Sequence, residues 1–181
     1  GNGQALFQAN GGATGNELWM TDGTAVGTSL VKDISVGTGS SNPQQFIALG
    51  NGQALFQANG GATGNELWIT DGTAVGTSLV KDIYPGLYPN FTPANSSPTN
   101  FISLGNGKAL FIATNVTNGQ ELWVSDGTEI GTSLVKDIYV GTSGSFPSRF
   151  TALGNGQVLF QASDVANGQE LWITDGTAAG T

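Results

Sequence analysis

Apolar residues in this chain come in short runs of three or four, divided by turn residues, and the same runs return along its whole length. Around the second return they occupy 46–49, 53–59, 66–70 and 78–83, with Gly50-Asn51-Gly52, Asn59-Gly60-Gly61 and Asp71-Gly72-Thr73 between them. Asn-Gly and Asp-Gly supply the positive φ that tight hairpins need, so the runs read as strands joined by hairpins. No stretch keeps apolar residues at helical spacing over three turns, and glycine recurs too often for long helices. The fold class is all-β. Ala54-Leu55-Phe56, Leu67-Trp68-Ile69 and Leu79-Val80 place apolar side chains on both faces of their strands. Such strands must be covered on both sides, which rules out a meander with one wet face.

The runs belong to a long internal repeat. Residues 1–34 and 50–83 are identical except for Met20 against Ile69, and looser copies begin at Gly105 and Gly154. Trp19, Trp68, Trp123 and Trp172 are spaced 49, 55 and 49 residues apart. The chain therefore divides into repeats 1–49, 50–104, 105–153 and a partial 154–181, which form one repeat domain over 1–181. Four-stranded antiparallel units of about this length, each sandwiched between its neighbours, describe the blades of a β-propeller. A parallel β-solenoid is the rival, and the hairpin turns argue against it. If each blade begins with the Phe-Ile-Ala-Leu run, the strands group as three, four, four and three. The end blades then expose a face, with Leu6 and Phe7 at one end and Leu171 and Trp172 at the other. Such edges and faces are templates for association, so the expected partners are further repeats or other copies of this chain.

Glu-Leu-Trp-x-x-Asp-Gly-Thr recurs at 17–24, 66–73, 121–128 and 170–177, and Gly-Thr-x-Leu-Val-Lys-Asp-Ile follows the first three. These strings resemble the ELWxxDGT repeat family of bacterial, mostly secreted or surface-associated proteins. The resemblance covers essentially the whole chain. It implies a propeller-like repeat architecture and an extracellular or cell-surface location, and it implies no activity.

Charge changes the picture at particular positions. Only 10% of the 181 residues are charged and the net charge is −8, which speaks against nucleic acid as a partner. Eleven of the thirteen acids and three of the four lysines sit at repeated positions, which suggests specific pairing or capping rather than solvation. Glu17, Lys32 and Asp33 fall on neighbouring strands and suggest a cross-strand charge cluster. Asp22, Asp71, Asp126 and Asp175 open Asp-Gly-Thr turns and read as turn caps. The chain has no Cys and no His, which excludes Ser-His and Cys-His catalysis and Cys-type metal sites. No apolar run approaches the length needed to span a membrane, so membrane insertion is not expected. Neither a cofactor nor an enzymatic activity is expected. Asn95 and Asn115 lie in N-glycosylation triplets, a frequent chance pattern in an Asn-rich chain.

Two functions fit this reading. The first is a non-enzymatic extracellular scaffold with a structural, adhesive or assembly role. The second is a multivalent, lectin-like β-propeller that binds glycans through repeated aromatic residues, for which Trp19, Trp68, Trp123 and Trp172 are the candidates. The tryptophans also suit the space between blades. The connectors 35–43, 84–98 and 139–147 vary most, and Tyr84, Tyr88 and Phe91 make the second of them the candidate for a unique contact.

Overall fold

The computed structural model describes residues 3–181. Fourteen strands form four antiparallel sheets, and no helix occurs among the described residues. The first sheet holds β1 (Ala5–Asn10), β2 (Asn16–Thr21) and β3 (Ser29–Lys32). The second holds β4 (Gln44–Ala48), β5 (Ala54–Asn59), β6 (Asn65–Thr70) and β7 (Ser78–Lys81). The third holds β8 (Thr99–Ser103), β9 (Ala109–Asn115), β10 (Gly119–Ser125) and β11 (Ser133–Lys136). The fourth holds β12 (Ser148–Ala152), β13 (Val158–Asp164) and β14 (Gly168–Thr174). The grouping is three, four, four and three, and strands pair in chain order within each sheet. β4 lies beside β8, β8 beside β12, and β1 touches β4.

Register repeats with the sequence. Phe7 faces Trp19 across the first hairpin, and Phe56–Trp68, Phe111–Trp123 and Phe160–Trp172 repeat the pair. A bulge separates Leu18 from Trp19 on the side facing β3, and the same shift recurs at Leu67/Trp68 and Leu122/Trp123. The last strand of the second sheet ends at Lys81, two residues before the apolar run does. Ile83 leaves the ladder because its N–H donates to the Glu66 side chain instead.

The core is three sheet-to-sheet interfaces of one design. Leu18, Val31 and Ile34 of the first sheet pack with Phe56, Ala58 and Trp68 of the second. Leu67, Ile69, Val80 and Ile83 of the second meet Phe111, Ala113 and Trp123 of the third. Leu122, Val124, Val135 and Ile138 of the third meet Phe160 and Ala162 of the fourth, with Trp172 partly buried beside them. Each sheet thus has a Leu/Val/Ile face and a Phe/Ala/Trp face, and opposite kinds always meet. Full burial of one such side chain contributes roughly 2 kcal/mol, so these interfaces dominate the stability.

Candidate functional site

The Thr-Asp-Gly-Thr-x-x-Gly-Thr turn is a closed set of hydrogen bonds. Asp22 Oδ1 accepts from the Thr24 N–H at 2.9 Å and from its hydroxyl at 2.7 Å. The Thr24 Oγ1 accepts from the Gly27 N–H at 3.0 Å, and Thr21 Oγ1 accepts from the Gly23 N–H at 3.0 Å. The Thr28 hydroxyl donates to Thr24 O and lies 2.6 Å from the Thr21 hydroxyl. Asp71, Asp126 and Asp175 make the same contacts with Thr73, Thr128 and Thr177. The second glycine is fixed by sterics, since a Cβ on Gly27 would stand 2.0 Å from Asp22 Oδ1. The threonine hydroxyl and then its N–H hold each of the four carboxyls below the usual range.

Two further side chains tie repeats together. Glu17 is fully buried and gathers the connector to the second sheet, with Ile34 N–H on Oε2 at 2.8 Å and Ser41 N–H on Oε1 at 2.8 Å. The Ser41 hydroxyl adds a 2.5 Å bond to Oε2. Glu66 holds Ile83 and Ser96 in the same way, and Glu121 holds Ile138, Tyr139 and Ser145. Burial pushes the Glu66 carboxyl up to about 7, against its hydrogen bonds, and also raises Glu121. Lys32 reaches into the turn of the next sheet, its Nζ donating to Thr77 O at 2.6 Å and Ala74 O at 3.1 Å. Lys81 does this to Thr132 and Glu129 carbonyls, and Lys136 to Thr181 O. The charges are therefore locked to the repeat by backbone partners. The cross-strand cluster of Glu17, Lys32 and Asp33 does not form, because Glu17 faces the connector and Lys32 points to the neighbouring sheet.

The aromatic candidates divide by position. Trp68 and Trp123 are buried in sheet interfaces, while Trp19 and Trp172 are half-buried. The Nε1 atoms of Trp19, Trp68 and Trp123 are buried without partners, and Trp172 Nε1 donates to Ala162 O at 3.2 Å. In the long connector the Tyr84 and Tyr88 rings meet edge to face at 5.7 Å, and Tyr88 Oη accepts from the Asn95 N–H at 3.1 Å. These two tyrosines fold the loop on itself. Phe91, 83% exposed at φ +62°, turns its ring to solvent while its N–H donates to Tyr88 O at 2.9 Å. The side chain of Asn95 is occupied inside the fold, accepting from the Asn65 N–H at 2.6 Å. That of Asn115 caps its own turn at Thr117 and Asn118.

Two surface features had no sequence signal, left-handed backbone in three strands and a cavity; a third, the uncovered end faces, follows from the grouping of the strands. Gln45, Asn100 and Arg149 hold left-handed backbone (φ +61°, +54° and +57°) at equivalent points of β4, β8 and β12. Non-glycine residues pay for that conformation, and nothing in their identity announces it. Leu171 and Ile173 are 74% and 41% exposed on the Leu/Val/Ile face of the fourth sheet, and the Phe/Ala/Trp face of the first sheet is likewise uncovered. A cavity of about 370 Å³ lies between the first and second sheets. No group of three or more acids able to hold a metal ion occurs among the described residues, and no helix is long and apolar enough to cross a membrane.

No protein-family model matches the chain, and no curated protein matches its sequence. Two crystal structures of a puromycin hydrolase, one of them a mutant complexed with PGG, are similar in fold. They superpose on 96% and 95% of this chain with a TM-score of 0.57 and 15% identity. The chain spans about a quarter of the length of those enzymes, 26% and 25%. At that identity the likeness is one of fold.

Proposed function

We propose that the chain is a non-enzymatic repeat scaffold of the cell exterior, of the ELWxxDGT type, built as a β-propeller-like array. It assembles with further repeats or other copies of itself through its end faces. The observation that carries this reading is the interface rule: a Leu/Val/Ile face meets a Phe/Ala/Trp face three times, and one face of each kind stays uncovered. The recurring acids support a structural role, since Glu17, Glu66, Glu121 and the four Asp-Gly-Thr aspartates have backbone or hydroxyl donors that fix a turn or a connector. With few charges, the end faces lack the repulsion that keeps sheet surfaces apart.

Sedimentation over a range of concentrations tests the proposal. The expected result is a mass that rises with concentration and returns to that of one chain when Leu171→Glu and Ile173→Glu are combined. A monomer at all concentrations would overturn it.

A further inference from the structure

The cavity between the first two sheets has Leu6 and Met20 on one side and Ala48, Ala54, Thr70 and Gly72 on the other. At the next interface the corresponding place is filled. Leu49 packs there with Leu55 and Ile69, the counterparts of Leu6 and Met20 one repeat on, and its Cδ1 lies 3.2 Å from where a Cβ on Gly127 would stand. Leu104 fills the third such place, with Leu110 and Val124 around it and its Cδ1 2.8 Å from a Cβ on Gly176. Facing Gly72, the counterpart of those two glycines, the nearest atom is Met20 Sδ at 3.3 Å.

Leu49 and Leu104 each follow the first strand of a four-stranded sheet, and that strand also delivers a phenylalanine. Phe46 stacks on Phe56 at 5.4 Å, Phe101 on Phe111 at 5.3 Å, and Phe150 lies 5.9 Å from Phe160. In the first sheet the counterpart is Phe7, half-exposed on β1, and no described strand pairs with the outer edge of β1. An open edge, an uncovered ring and a mainly apolar cavity, with Gln53 and Asp71 also on its lining, therefore coincide. Phe46 and Leu49 are three residues apart, so on a strand they point to opposite faces, one over the ring and one into the cavity.

We propose that the β1 edge and this cavity form one groove that binds an extended segment of a further repeat. Its ligand is an uncharged segment of the pattern Phe-x-x-Leu-Gly, as in Phe46–Gly50, unpaired in the chain that carries it. The segment adds to β1 in the register β4 keeps on β5, where Ile47 faces Leu55 and Ala48 faces Ala54. Its phenylalanine stacks on Phe7 and its leucine enters the cavity. This deepens the assembly reading and rests on it for the source of the partner strand.

The test is a titration of the Leu171→Glu, Ile173→Glu chain with a synthetic peptide of residues 42–50, followed at the ε-methyl NMR signal of Met20, the one methionine. The Met20 signal is expected to shift saturably. A peptide carrying Leu49→Asp should bind about 100-fold more weakly, because it brings a carboxylate to an apolar slot. An unmoved Met20 signal, or equal binding of the Asp peptide, overturns the groove. Sedimentation of the parent chain separates the two claims. A chain that associates but ignores the peptide loses only the groove, and one that takes the peptide but never associates loses only the end-face assembly.

Discussion

β6 and β14 carry the same Glu-Leu-Trp-Ile-Thr sequence and lead different lives. Leu67 is fully buried and Leu171 is 74% exposed; Glu66 is sealed under a connector and Glu170 stands in solvent. Both strands pair in the same register, with Trp68 facing Phe56 and Trp172 facing Phe160. Local sequence thus sets strand, turn and register. Burial is set by the neighbouring sheet, which β6 has on both faces and β14 on one.

The largest effect should come from truncating the shared leucine. Leu67→Ala removes a side chain from a filled interface and should cost about 4 kcal/mol in chemical denaturation. Leu171→Ala, measured at a concentration where the chain is monomeric, should stay within about 0.5 kcal/mol. Equal losses at the two sites would break the comparison, since the sequence alone would then decide the cost.

A smaller effect follows from the glutamate. Burial raises the Glu66 carboxyl from 4.5 in the unfolded chain to about 7, so the folded state binds the proton more tightly. Its contribution to stability is full below 4.5 and is lost as pH rises through about 7. Glu121 shifts in the same direction. Thermal unfolding of the parent should therefore weaken from pH 4.5 to pH 7, and Glu66→Gln should flatten that slope, leaving the part that belongs to Glu121. An unchanged slope in the variant would place the pH dependence elsewhere.

Much of the fold is legible before any coordinates. The runs around Leu55, Leu67 and Leu79 mark strands because their turns carry Asn-Gly and Asp-Gly, and apolar residues on both faces require sheets stacked on sheets. The roles of Glu17 and Lys32 are not legible, because their partners are backbone groups 17 to 45 residues away that no side-chain pattern encodes. The left-handed Gln45, Asn100 and Arg149 are hidden for another reason: each sits at a register shift of its strand against the next, which its residue type does not announce. The cavity beside Met20 emerges only when one interface is laid over the next.

The smallest effect should come from the Asp-Gly-Thr turns, and there the contrast between inner and outer sheets should vanish. Each carboxylate bonds to a threonine two residues on and to nothing in a neighbouring sheet. Asp71→Ala in the second sheet and Asp175→Ala in the fourth should each lower Tm by a few degrees, and by the same amount. Since these groups titrate lower than an ordinary Asp, their contribution is present above 3.8 and is lost as pH falls below it. The variants should therefore converge on the parent in acid, outside the window where Glu66 acts. A markedly larger drop for Asp71→Ala would mean that even these turns draw their stability from the sheet beside them.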